Sequence, residues 1–181
     1  TAVIGSGVMG AGIAQWFASR GMDVLLRDVD AGQLAQGLQR TEKLFSEARR
    51  RGLLSAAEAQ AGMDRVVPVE VPVQLKRVDL VVEAALEKME LKKQSFADLE
   101  ERTRPETLLS TNTSALSVTE ISRGLRHPER VVGLHFFNPV HRMKLVEVVR
   151  AELASDVAVD TAVAFVQRMG KLPVVVRDRP G

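Results

Sequence analysis

The stretch Ala2-Val3-Ile4-Gly5-Ser6-Gly7-Val8-Met9-Gly10-Ala11-Gly12 sets three glycines at G-x-G-x-x-G spacing directly behind a short apolar run. A strand that turns sharply into a helix needs glycine at the turn, here Gly5. A second glycine, Gly7, lets the backbone approach a pyrophosphate, and a third, Gly10, lets the helix pack close to the strand. The helix start at Val8 and Met9 then offers free N–H groups and a partial positive charge to phosphates. The next apolar run, Val24-Leu25-Leu26-Arg27, ends at Asp28, eighteen residues after Gly10. An acid at that strand tip accepts hydrogen bonds from an adenosine ribose and repels a 2′-phosphate, so the pattern predicts a dinucleotide site that prefers NAD to NADP. Arg27 is discordant beside that acid, but side chains alternate along a strand, and it is expected on the opposite face.

Size and composition bound the rest. The chain has 181 residues, 45% of them hydrophobic and 27% charged, which suits one globular domain with a buried core. Its net charge of +2 gives no argument for nucleic acid. With no cysteine there is no disulfide, thiol catalyst or cysteine-ligated metal, and no metal site is read. No apolar run reaches membrane-spanning length and no signal-peptide pattern opens the chain. The cysteine count leaves the compartment open, and cytoplasm is the expectation. Both ends read as cut: Thr1 stands where an initiator methionine would, and Arg179-Pro180-Gly181 follows directly on Val174-Val175-Val176. The expectation is a domain, residues 1–181, of a longer polypeptide.

Strand-like runs recur at Ala2–Ile4, Val24–Leu26, Leu80–Val82, Leu108–Leu109, Val131–Leu134, Leu145–Val149 and Val174–Val176. Several are continuously apolar, as strands covered on both faces are. Helical composition fills Ala31 to Arg51, Ala56 to Met63, Lys88 to Arg102 and Asp156 to Met169, the last with Ser155 as N-cap and Gly170 as stop. This alternation predicts an α/β fold with a doubly wound, mainly parallel Rossmann-type sheet. The long excursion over residues 30–64 predicts a helical arm with Leu34, Leu38, Leu44, Phe45 and Ala48 as its apolar stripe.

Three polar clusters fall at strand ends, where ligands sit in such folds. Glu83-Ala84-Ala85-Leu86-Glu87 follows one strand, and Glu87 there suits either a cap for the next helix or a contact to nicotinamide or ribose. Ser110-Thr111-Asn112-Thr113-Ser114 reads by itself as turn and cap chemistry. His135-Phe136-Phe137-Asn138-Pro139 puts a histidine at a strand end, with Glu147 twelve residues on along the return strand. Oxidising an alcohol needs a base for the hydroxyl proton as hydride leaves carbon. Imidazole suits that task near neutrality, and a carboxylate on its far nitrogen fixes the tautomer. His127 and His141 are expected at the surface.

Together with Met143-Lys144-Leu145-Val146-Glu147, these motifs resemble the L-3-hydroxyacyl-CoA dehydrogenase family from the first residue to the last. Glu87-Lys88-Met89-Glu90-Leu91-Lys92-Lys93 and the run Asn138 to Met143 are most similar to the dehydrogenase part of multifunctional fatty-acid oxidation proteins. The resemblance implies NAD-dependent oxidation of an L-3-hydroxyacyl-CoA to the 3-ketoacyl-CoA. It implies His135 as base, Glu147 as its partner, Ser114 as the hydroxyl on the reacting oxygen, and Asn138 near nicotinamide and substrate. Glu87 and Lys92 would complete a cofactor site that begins with Gly5, Gly7, Val8, Met9, Gly10 and Asp28. Lys43 and Arg49 to Arg51 would face coenzyme A phosphates. The family continues beyond a Pro-Gly like Pro180-Gly181 into an all-helical domain that closes over the acyl chain. The expectation is a piece that binds NAD and turns over poorly, from a parent that is a homodimer or part of a multifunctional complex.

Two other readings remain. A β-hydroxyacid dehydrogenase acting on free acids shares the glycine turn but commonly uses lysine as its catalytic group, and a non-enzymatic NAD-binding relative need not keep base, acid and hydroxyl together.

Overall fold

Apolar runs without polar alternation need cover on both faces, and a sheet flanked by helices supplies it. The computed structural model describes residues 1–179. Pro180-Gly181, the expected junction to a further domain, lies outside the described residues.

The strands are β1 (Ala2–Ile4), β2 (Val24–Arg27), β3 (Val66–Val69), β4 (Leu80–Glu83), β5 (Leu108–Thr111), β6 (Val131–Phe136), β7 (Leu145–Arg150) and β8 (Leu172–Arg177). The helices are α1 (Val8–Ser19), α2 (Ala31–Arg50), α3 (Ala56–Asp64), α4 (Met89–Arg102), α5 (Val118–Ser122) and α6 (Asp156–Arg168). They build one sheet of order β3-β2-β1-β4-β5-β6-β7-β8. β1 to β6 pair in parallel, β7 runs antiparallel to β6, and β8 is parallel to β7. The chain leaves β1 toward β2 and β3 and then crosses back to β4 on its other side, so the switch point lies where β1 ends and the glycine turn begins. This is the doubly wound, mainly parallel architecture read from the sequence.

The helix signals act as expected. Ser155 accepts the Ala158 amide at the start of α6, and Gly170, at φ +74°, stops it. Asp30 caps α2 through the Gln33 amide at 2.7 Å, and Ser55 with Glu58 forms a capping box on α3. Three elements escape the sequence reading. Pro68 lacks an amide donor and hides β3, which is tolerated because β3 is an edge strand. α5 and a 3-10 turn over Pro128–Arg130 are too short for a periodic signal.

α2 and α3 occupy the predicted arm. α2 is pressed onto the glycine turn and α1: a Cβ on Gly37 would stand 2.4 Å from the Ser6 Cβ, and the Thr41 hydroxyl lies 3.4 Å from the Ala11 carbonyl. Phe45 packs where Gly62 of α3 leaves room for its ring. Among the described residues, no helix is long and apolar enough to cross a membrane.

Candidate functional site

Gly5 turns the chain at φ +96°, and a Cβ there would lie 2.7 Å from the Ala84 carbonyl. A Cβ on Gly10 would lie 1.8 Å from the Gly5 oxygen, so the third glycine is fixed by helix-to-strand packing. Gly7 differs. A Cβ there would meet no protein atom within 4 Å, and what the bare backbone leaves open is room for something outside the chain. Gly7 is also the N-cap of α1 and supplies no side-chain bond, and no acid stands in the first turn. The amides that begin α1 therefore remain available to an anion.

Asp28 sits beside this turn. One carboxylate oxygen accepts the Ser6 amide and hydroxyl, each at 2.7 Å, and the other accepts the Val29 amide at 2.8 Å. The acid thus ties the tip of β2 to the loop, and of its roughly four acceptor sites one, on the oxygen that takes the Val29 amide, remains open. Arg27 turns the other way, toward Asp98 on α4 at 3.6 Å, as strand alternation requires.

A buried network joins the next two strand ends. Glu83, with no exposed surface, accepts the Lys92 ammonium through both oxygens at 2.9 and 2.8 Å, the Ala85 amide at 2.7 Å and the Thr111 hydroxyl at 2.7 Å. Lys92, equally buried, also reaches Glu87 at 3.5 Å. Glu87 does not cap α4, whose N-cap Lys88 makes no side-chain bond. It takes instead the Thr113 hydroxyl and the amides of Ser114 and Ala115 at 3.1 and 3.3 Å. Burial raises its pKa, but Thr113, Lys92 and those amides outweigh it and hold the carboxyl below the usual range. Glu83 is the hub that sequence reading leaves without a role. Its signal, an acid closing an apolar strand nine residues before a lysine, acquires meaning only when the helix returns over the strand.

His135 and Glu147 are direct cross-strand partners in the antiparallel β6/β7 pair, with Nδ1 2.9 Å from a Glu147 oxygen. Their side chains are 19% and 34% exposed, and the imidazole leans on Phe137. Ser114 lines the same cavity, with Leu116 and the exit segment Arg177 to Arg179. The Asn112 side chain accepts the Phe136 amide at 2.8 Å, which pins the end of β6 to the loop that bears Ser114. His135 and Gly5 stand on the same edge of the sheet, with β4 and β5 between their strands, roughly 14 Å apart at ordinary strand spacing.

Asn138 is brought elsewhere. It is exposed and lines a groove with Val8, Gly12, Arg40, Lys43 and His141, between α1, α2 and the β6–β7 loop. Lys43 faces this groove and Arg51 its continuation, whereas Arg49 and Arg50 point to solvent. His127 is exposed beside Glu129, as expected. His141 corrects the sequence reading: it is half-buried in the groove, where burial, then Arg142, hold its pKa below the ordinary value.

The family model described as "3-hydroxyacyl-CoA dehydrogenase, NAD binding domain" matches residues 1–179. The chain is 42% identical over 180 residues to the fatty acid oxidation complex subunit alpha of Acinetobacter baylyi, which covers 99% of this chain and 25% of that protein. The chain therefore spans about a quarter of the length of the curated relatives it matches. Among solved structures, 3-hydroxybutyryl-CoA dehydrogenase of Escherichia coli superposes with a TM-score of 0.96 at 44% identity, over 99% of this chain and 38% of that one. The dehydrogenase part of multifunctional enzyme 1 from C. elegans gives 0.87 at 32%, over 97% and 40%.

Proposed function

The chain belongs to the 3-hydroxyacyl-CoA dehydrogenase family through its NAD-binding domain, and from that premise we propose that it binds NAD and carries the catalytic base for oxidation of an L-3-hydroxyacyl-CoA to the 3-ketoacyl-CoA. The observation that carries the proposal is the His135–Glu147 pair, held in one sheet register on the same edge as the glycine turn. When bound, NAD supplies the hydride acceptor. Gly5, Gly7 and Gly10 shape the turn, the Val8 and Met9 amides take the pyrophosphate, and Asp28 takes the adenosine ribose. Glu87 and Lys92 would hold the loop of Ser114 for the nicotinamide half, and Asn138, in the neighbouring groove beside Val8, would meet the cofactor from the side of α1. With Nδ1–H donated to Glu147, Nε2 of His135 is the atom that takes the carbinol proton, and Glu147 stabilises the imidazolium. The Ser114 hydroxyl holds the reacting oxygen.

Arg40 and Lys43 put positive charge beside that groove, which suits the phosphates of an acyl-CoA. We assign the chain to an assembly of the fatty-acid oxidation type, as a homodimer or within a multifunctional complex, in a cytoplasmic setting. A third of the Glu147 side chain is open to water, so these residues alone sustain binding but only slow turnover, with poor positioning costing on the order of 100-fold.

The test is calorimetry of NADH together with NADH oxidation driven by acetoacetyl-CoA. His135→Gln should remove the residual turnover, about 10²–10⁴-fold, and leave NADH affinity unchanged. Undiminished turnover in that variant would refute the assignment of the base.

A further inference from the structure

Lys171, between α6 and β8, is 4% exposed and is paired with no carboxylate among the described residues. Its ammonium donates to the Val140 carbonyl at 2.6 Å and the Met143 carbonyl at 2.7 Å, and it stands 4.0 Å from the centre of the Trp16 ring. These two carbonyls bracket the turn that follows Asn138-Pro139. The turn is packed tightly on α1: a Cβ on Gly12, two residues past the glycine motif, would lie 3.1 Å from a Val140 methyl. Asn138 shares its groove with Val8 and Gly12. A single buried cation therefore ties the Asn138 loop to the helix whose start meets the cofactor.

The charged groups around it offer little compensation. From α1, Arg20 stacks on the same indole at 4.3 Å and repels the ammonium. The loop brings His141 and Arg142, and α2 and its C-cap bring Glu47 and Arg51, which bear on His141. Burial first, and then Arg20, lower the Lys171 pKa to about 8 from 10.5. Between those values the unfolded chain holds a proton that the folded chain has released, so this group adds stability as pH rises from about 8 to 10.5 and costs stability below about 8. What compensates the buried ammonium near neutrality is the pair of carbonyls and the indole, groups that belong to the Asn138 loop and to α1.

We propose that Lys171 is a positioning residue that fastens the Asn138 loop by its charge: as ammonium it grips both carbonyls and holds Asn138 toward the glycine turn, and as neutral amine it holds them more weakly and relaxes cofactor binding. A charge-assisted bond is roughly twice as strong as a neutral one, which gives the proton its leverage. The effect on cofactor rests on the function proposed above; the fastening does not.

Trp16 is the chain's single tryptophan, and the chain has neither cysteine nor tyrosine to titrate on the alkaline side of neutrality. Indole emission followed from pH 6.5 to 9.5 should show a step with midpoint near pH 8 in the unaltered chain, and none in Lys171→Arg or Lys171→Met. NADH affinity, measured by calorimetry, should fall roughly threefold to tenfold from pH 7 to 9.5 in the unaltered chain, part of one charge-assisted bond, and stay within about twofold in Lys171→Arg. A flat emission curve, or a step that survives in Lys171→Arg, overturns the fastener. A step with pH-independent NADH affinity overturns its link to the cofactor. If NADH fails to bind at pH 7, the function proposed above falls and the emission step still decides the fastener. Should Lys171→Met not fold, the unaltered chain and Lys171→Arg suffice.

Discussion

Replacing Lys92 by methionine separates the stability of the buried network from its part in binding. The substitution keeps length and apolar bulk but leaves the Glu83 carboxylate, which has no exposed surface, with only the Ala85 amide and the Thr111 hydroxyl. Breaking a buried pair in this way costs about 3–5 kcal/mol. For a chain of this size that lowers the melting temperature by roughly 6–20 °C. The double variant Glu83→Gln/Lys92→Met should recover about 2 kcal/mol or more, because no buried charge is then unpaired. The site's geometry allows this: the oxygen of the introduced carboxamide faces the Ala85 amide, and its NH₂ faces Thr111, whose hydroxyl rotates to accept. NADH affinity should nevertheless fall in both variants, since Glu87 has lost the ammonium 3.5 Å away that helps it hold the Ser114 loop. Urea or thermal unfolding followed by circular dichroism, with NADH calorimetry, reads both quantities. A loss below about 1 kcal/mol in Lys92→Met, the size of a surface pair, would refute the reasoning, as would a double variant no more stable than the single one.

Asp28→Ala should weaken NADH binding by about tenfold and NADPH binding far less, because it removes the ribose acceptor together with the brace on Ser6; equal losses would dismiss the ribose role. Gly10→Ala drives a Cβ to 1.8 Å from the Gly5 oxygen, and the turn should give way with the loss of NADH binding, whereas Gly21→Ala, strained in φ but open in space, should retain it. Asp178 accepts bonds from Ser117, Val118 and Thr119 and so ties the end of β8 to α5. Burial raises its pKa, but the Thr119, Ser117 and Val118 donors together carry it below the ordinary 3.8. Its contribution is thus present above pH 3.8 and lost as pH falls through the lower folded value. Asp178→Asn should flatten that part of the acid limb in unfolding curves taken from pH 5 to 2.

Whatever depends on neighbours in sequence is legible in advance. Gly5, Gly7 and Gly10 are a local demand of one turn. The twelve-residue interval from His135 to Glu147 can be read because a strand that reverses brings matching positions opposite each other. The caps at Ser155 and Gly170 are local too. Glu83 and Lys171 are opaque for the contrary reason. The ammonium partner of one stands on the helix that turns back over its strand, with a hydroxyl from the next strand beside it, and those of the other are backbone carbonyls contributed by a distant turn. No residue type in the sequence advertises a carbonyl. Adjacency in sequence groups Asn138 with His135, yet the chain bends between them, and each faces its own recess.

Because His135 and Glu147 are rungs of the β6–β7 ladder, their separation is set by the pleat and owes nothing to the length of the connection between those strands. Lengthening or shortening that connector would leave the His135–Glu147 pair intact while shifting Asn138 and the carbonyls that Lys171 grips. On the roles proposed above, reaction chemistry and cofactor grip are thereby open to separate variation within a single hairpin.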